Sequence, residues 1–282
     1  MSKIGIVILN YNDHETTSVM IEQIKDYKIL DEIVIVDNNS TDGSYDILKE
    51  YEGKNITVIK SDENKGYSAG NNIGVKYLDN KVDYVIISNP DITVSEEVIA
   101  KLAKELDEHI SIKVIAPYIN ELGDVKRGWK LPTYYGEIIK ICNTQQRFHK
   151  KYGLYDDEHY KDTLSKVDVV SGCFFMIRLD ILKEINYFDE GTFLYYEENI
   201  LGNILKQKDY ETYVLNGVSV THNLSISVDK SIKKINKYKI LVKSLLYYEK
   251  KYNHRNIFSF FFLRLLYFII LILVRIKYLF KR

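Results

Sequence analysis

Four short runs of branched apolar residues, each followed by a stretch of helical spacing, occupy the first 110 or so residues. The runs are "KIGIVILN" (3–10), "EIVIVD" (32–37), "NITVIK" (55–60) and "DYVIIS" (83–88). The first is a continuous branched run, as expected for a strand covered on both faces, the second is likewise a buried strand, and the others read as the third and fourth strands. Between and after them lie "TTSVMIEQIK", "SYDILKEY" (44–51), "SAGNNIGVKYL" (68–78) and "SEEVIAKLAKELDEH" (95–109), which carry apolar residues at helical spacing. Ser95 is a good N-cap, and the glutamates after it suit the positive end of a helix. Parallel strands need a long crossover where antiparallel ones need only a hairpin. The alternation therefore predicts an α/β fold, a mostly parallel sheet flanked by helices.

The second half is less regular. Residues 118–166 read as a long connecting region with one helix near 135–148. "KVDVVSGCFFMIRLDIL" (166–182) is a strand running into a helix, and "EENILGNILKQK" (197–208) is helical. "YETYVLNGVSVTH" (210–222) predicts two short strands, and 228–252 one amphipathic helix. With 46% hydrophobic and 28% charged residues the chain is globular, long enough for one large domain or a domain with an appendage. Net charge is zero, so the chain has no electrostatic bias towards nucleic acid. Cys142 and Cys173 stand far apart and in no metal-type spacing, which predicts a reduced, cytoplasmic protein. The opening "MSKIGIVILNYND" suits a first strand better than a secretory signal, being too short for one.

In open parallel sheets, ligands sit at the carboxyl ends of the strands. Here those ends read "NYND", "DNNSTDGS" and "NPD". No glycine fingerprint follows the first strand and no Gly-Lys-Ser/Thr loop occurs, so a dinucleotide site and a P-loop are both disfavoured. Carboxylates repel a bare phosphate, but they can hold a ribose, a base edge, or a cation that itself carries phosphates.

Taken in order, "VILNYN", "VDNNSTDGS", "NKGYSAGNNIG", "SNPDI", "GCFFMIR" and "FLYYEEN" resemble inverting glycosyltransferases of the GT-A fold, the rhamnosyltransferase-like branch in particular. The resemblance covers roughly residues 3–225. It implies a nucleotide-sugar-binding half (1–117), an acceptor and catalytic half (118–225) and a helical extension (226–282). It further implies a nucleotide-diphosphate donor, dTDP-rhamnose or a UDP-hexose, and a glycan or lipid-linked glycan acceptor.

The same resemblance assigns residues. Asp37 would contact the donor nucleoside, with a turn-forming Asp as its bland alternative. Asn10 and Tyr11 would line the nucleotide pocket. Asn64, Gly66, Gly70 and Asn71 match a donor-binding loop, the two glycines letting backbone N–H groups approach the donor. Asp91 would hold Mg²⁺ or Mn²⁺, with His222 completing the site. Asn89 stands where a DxD-type motif has its first acid, and as a weaker ligand it serves a ribose hydroxyl equally well. Glu198 matches the general base that takes the proton of the acceptor hydroxyl, with Glu197 before it. Trp129 and Gly172 fall in segments that line the acceptor side.

The tail departs from the rest. "LLYFIILILV", between Arg264 and Arg275, would rise only about 15 Å as a helix, half a bilayer core. With basic residues on both flanks, it predicts a helix lying in a membrane surface, and hence a protein held peripherally at the inner face of the cell membrane. Burial in a homodimer is the competing use of the same residues. Two rival functions stand beside the transferase: a nucleotidyltransferase, which would need a basic, glycine-rich first loop that "NYNDHE" lacks, and a non-catalytic sugar-nucleotide-binding scaffold.

Overall fold

Strands β1 (Ile4–Asn10), β2 (Glu32–Asp37), β3 (Ile56–Lys60) and β4 (Tyr84–Ser88) form where the branched runs lie, and all pair in parallel in the order β3-β2-β1-β4. The computed structural model describes residues 2–141, 153–223 and 234–279. Helices α1 (His14–Ile24), α2 (Ser44–Lys49), α3 (Tyr67–Tyr77) and α4 (Glu96–Glu108) make the crossovers. Ser95 caps α4 by accepting from the Val98 N–H.

Beyond β4 the sheet becomes mixed. It continues through β9 (Phe174–Arg178), β6 (Ile112–Glu121), β10 (Glu211–His222) and β5 (Ile92–Thr93). β9 runs antiparallel to β4 and β6, while β6 and β10 are parallel. Strands β7 (Asp124–Lys126) and β8 (Leu164–Val167) attach at the sides of β6 and β10. Side chains alternate between two cores, as the strand period requires. Ile6 and Ile8 pack with Met20 and Ile21 of α1 and Leu102 of α4. Val7 and Val34 face the other way, onto Val75 of α3 and Leu205 of α7 (Glu197–Gln207).

Two expectations need correction. Residues 118–166 are not one long connection, because β6, β7, β8 and helix α5 (Tyr134–Ile141) occupy much of them. Pro117 hides β6 in the sequence, since proline cannot donate to a ladder. It sits in a gap between paired stretches: β10 pairs with 112–116 and then with 118–120. The predicted pair of strands at 210–222 is a single strand, β10, with a register shift between Val214 and Ser219 opposite that gap. The helix expected near 135–148 ends its described part at Ile141, and the rest lies outside the described residues, as do 228–233 of the helix expected at 228–252.

The C-terminal helices α8 (Lys234–Lys251) and α9 (Ile257–Leu279) are built into the molecule. A third core joins Leu245, Tyr248 and Tyr267 to Tyr196 and Ile200 of the α7 region. Asp189, ahead of α7, accepts hydrogen bonds from Tyr247 (2.8 Å) and Tyr252 (2.5 Å) and pairs with Lys251 (2.5 Å). The Ser244 hydroxyl donates to the Leu194 carbonyl at 2.7 Å. A sequence boundary at 225 is therefore not a packing boundary. Tyr248 is fully buried, its ring 5.5 Å from that of Tyr196. Truncating an aromatic at such a site costs about 3–5 kcal/mol. Tyr248→Ala should lower the unfolding free energy in urea by about that amount, and a loss below about 1 kcal/mol would show that α8 is a loose appendage.

Candidate active site

The strand order reverses at β1/β4, and the crevice that such a reversal opens lies at the carboxyl ends of those strands. Asn10 and Asp37 end neighbouring strands in register and are both fully buried. The Asn10 amide donates to Asp37 Oδ2 at 2.8 Å, and its carbonyl oxygen accepts from Thr17. Asp37 Oδ1 accepts the Ser40 N–H at 3.0 Å. Asp37 thus performs the turn-forming task of its bland alternative, ordering the loop after β2, and keeps lone pairs beyond these bonds. Tyr11 is half-exposed beside it.

The loop before α3 is organised by Asn64. Its side-chain oxygen accepts from the Gly66 N–H and from the Asn38 amide, each at 3.0 Å. Packing alone requires glycine at positions 66 and 70. A Cβ on Gly66, where φ is +105°, would meet the Phe193 carbonyl oxygen at 2.1 Å, and one on Gly70 would meet Leu9 at 2.4 Å. Asn71 is buried, its amide donating to the Tyr67 carbonyl. Tyr67 then ties this loop to the centre, with its hydroxyl 2.7 Å from the Gly172 carbonyl and 3.2 Å from Asn89 Oδ1. Asn89 is therefore directed at Tyr67, and its N–H donates to the Cys173 carbonyl.

Asp91 and His222 are 131 positions apart in the chain, yet His222 Nε2 lies 3.1 Å from Asp91 Oδ1. β5 pairs antiparallel with the end of β10, His222 opposite Ile92, and this brings them together. On the other side of the ring, Nδ1 meets Glu121 Oε2 at 2.8 Å, and Glu121 also pairs with Lys126. Burial works against a charge on His222, but the hydrogen bonds to Asp91 and Glu121 outweigh it and raise its pKa above the ordinary value. A carboxylate and an imidazole on adjoining strands form an O/N donor pair that suits Mn²⁺ or Mg²⁺. Among the described residues, the one other tight group of acids and histidine is Glu105, Glu108 and His109 on α4, at the opposite end of the sheet.

Glu197 and Glu198 open α7 directly after two tyrosines, Tyr195 and Tyr196, both at φ +72°. Consecutive bulky residues in the left-handed region are strained. Packing holds them: Tyr196 is buried and its hydroxyl donates to Glu137 of α5 at 2.6 Å. Glu198 lies across Gly172, where a Cβ would meet its Cγ at 2.9 Å. Tyr67, Gly172, Phe175 and both glutamates line a narrow, mostly apolar cavity of about 20 Å³, room for roughly one water. Trp129 reaches the same helix, its indole N–H donating to Asn199 at 2.9 Å. Its backbone is paired with Val169, so it is half-buried framework beside α7.

The structure thus brings together Asn64, Tyr67, Asn89, Gly172 and Glu198, and separately joins Asp91 to His222. Sequence reading missed Glu121, Tyr67 and Glu137. Glu121 had no signal, since residues 118–166 read as a connecting region and Pro117 hides β6. Tyr67 lay inside a quoted motif, where its neighbouring glycines drew the attention.

Glu197 Oε2 is buried with no hydrogen-bond partner. Burial first, then the Glu198 charge, pushes its carboxyl well above the usual carboxylate range. The unfolded chain releases this proton at about pH 4.3, and the folded chain only at higher pH. Between the two, the folded state holds the extra proton, so stability falls as pH rises. Glu197→Gln should therefore melt above wild type, by a margin that grows from about pH 5 to about pH 7.5. A margin that stays flat with pH would exclude a neutral buried acid.

Comparison with known proteins comes last. The family model of glycosyl transferase family 2 matches residues 5–186. The low-salt glycan biosynthesis hexosyltransferase Agl10 of Haloferax volcanii is 28% identical over 200 residues, which is 70% of this chain and 60% of that protein. The chain thus spans about 60% of the length of that relative. TarS of S. aureus (residues 1–349) superposes with a TM-score of 0.56 at 17% identity, over 88% of this chain and 72% of that one. A mannosyltransferase of Pyrobaculum calidifontis, solved with GDP-Man and Mn²⁺, gives 0.59 at 11%, over 90% and 65%. GalNAc-T7, solved with UDP, GalNAc and Mn²⁺, gives 0.62 at 15%, over 79% and 44%. At such identities these structures share the fold.

Proposed function

Because the chain belongs to glycosyl transferase family 2, we propose that it moves a sugar from a nucleotide-diphosphate donor to an acceptor hydroxyl, with inversion at the anomeric carbon. The observation that carries this reading is the meeting of an O/N donor pair, Asp91 and His222, at the carboxyl ends of a sheet whose crevice also holds Glu198. Asn10, Tyr11, Asp37 and the 64–71 loop order the nucleoside side. Asp91 and His222 hold Mg²⁺ or Mn²⁺, which when bound offsets the charge building on the leaving diphosphate. Glu198 accepts the proton of the attacking hydroxyl in a single displacement. Neutral Glu197 beside it leaves one negative charge in the pair. Gly172 leaves room for Glu198, and Trp129 braces α7 on the acceptor side.

The donor is dTDP-rhamnose or a UDP-hexose. The acceptor is a growing surface glycan or a lipid-linked one. Among the described residues no helix is long and apolar enough to cross a membrane. α9 nevertheless exposes Phe258, Phe261, Phe262, Leu265, Phe268 and Ile272 along one stripe, while Leu263 and Tyr267 face inward. Such a stripe among basic residues suits the surface of an anionic bilayer, on the cytoplasmic side where nucleotide sugars are made.

A panel of sugar nucleotides with Mn²⁺ tests the reaction. Some donor should release its nucleoside diphosphate, and Asp91→Ala should cut kcat/KM about 10³-fold, a loss of several kcal/mol of charge stabilisation. Glu198→Gln should keep donor binding and lose about 10²–10⁴-fold in kcat. Absence of turnover across the panel, with donor still bound, would leave a binding protein instead. For the membrane, the wild type should sediment with phosphatidylglycerol vesicles, and replacing Phe258, Phe261 and Phe262 with Ser should reduce the bound fraction several-fold. A wild type that stays in the supernatant and sediments as a dimer would assign the stripe to self-association.

A further inference from the structure

Glu121 is the acid in the crevice with no place in the mechanism above. It ends β6, where the hairpin turns into β7. Its Oε2 lies 2.8 Å from His222 Nδ1, its other oxygen pairs with Lys126, and its side chain is only 15% exposed. His222 is similarly enclosed, at 13%. The two ring nitrogens face opposite ways, so Glu121 and Asp91 stand on opposite sides of the imidazole. Glu121 cannot share an ion held by Asp91 and Nε2.

We propose that Glu121 is a positioning residue for the Asp91–His222 pair, and this inference rests on the metal reading above. Both ring nitrogens face carboxylates, which only accept hydrogen bonds; with a cation beside Asp91, Nε2 would give up its hydrogen and serve the ion, while Nδ1 keeps its hydrogen bond to Glu121. The bond also sets the plane of the ring, turning Nε2 towards Asp91. Lys126 in turn anchors Glu121 and offsets its charge, so that the crevice does not gather three uncompensated acids. The chain Lys126–Glu121–His222–Asp91 thus joins the β6–β7 hairpin to the β5–β10 pair. Outer partners of this kind are worth about 10–100-fold in metal affinity.

The bland alternative is that Glu121 merely closes its hairpin through Lys126. Titration of the full chain with Mn²⁺, followed by the EPR signal of free Mn²⁺ with and without UDP, separates the two. Glu121→Ala should weaken Mn²⁺ binding about 10–100-fold. Glu121→Gln, whose amide oxygen still accepts from Nδ1, should recover most of that loss and guards against an alanine variant that folds poorly. Lys126→Ala, which breaks only the hairpin pair, should stay within about 3-fold of wild type, well short of the loss expected for an outer partner. In a His222→Ala background, Glu121→Ala should add nothing, since the two act through one contact. An unchanged affinity in Glu121→Ala, an equal loss in Lys126→Ala, or a loss that persists without His222 would each overturn the proposal. If Asp91→Ala abolishes binding while Glu121→Ala leaves it unchanged, the positioning role alone fails. If the wild type binds no Mn²⁺ under either condition, the metal reading fails and takes this inference with it.

Discussion

The burial of three parallel strands, β1, β2 and β4, on both faces governs this molecule. Ile6, Ile8, Val7, Val34 and Ile35 are wholly removed from water. A strand so enclosed has no polar side chain to spare along its length, so polar chemistry is driven to where the strands end. Asn10, Asp37 and Ser88 stand at three such ends, and each is buried and hydrogen-bonded. The crevice is therefore the place where the sheet stops being able to cover itself.

The second constraint acts on the start of α7. Two tyrosines in the left-handed region precede Glu197, and such a conformation persists only when its surroundings over-determine it. Here the surroundings are α5 and α8. Glu137 receives the Tyr196 hydroxyl, Tyr248 packs on the same ring, and Asp189 is held by three side chains of the α8 end. Part of the energy that shapes the active-site turn is thus supplied from residues 240–252, beyond the matched family segment.

Legibility followed the range of the interaction. The strand and helix runs of residues 3–109 could be read because each signal is local: branched apolar runs, a Ser95 cap, Gly74 where α3 packs on Val7. Asp91 and Glu198 were singled out because each sits in a short motif of neighbouring residues, "SNPDI" and "FLYYEEN". Glu121 was not, since its meaning depends on a ladder that resumes after Pro117 and on a histidine 101 positions away. The packing that requires glycine at 66 and 70 was not readable either, as only the fold shows that Phe193 and Leu9 fill the space beside them.

The order of residues alone was enough to specify an α/β sheet with its polar residues at the strand ends, because hydrophobic periodicity is a property of neighbouring positions. Folding in three dimensions chose the partners. It set Asp37 to order a loop, turned Asn89 to Tyr67, buried Glu197 without a partner, and drew His222 between Asp91 and Glu121. Those choices turn on distances of about 3 Å between residues far apart in the chain, which no local pattern encodes.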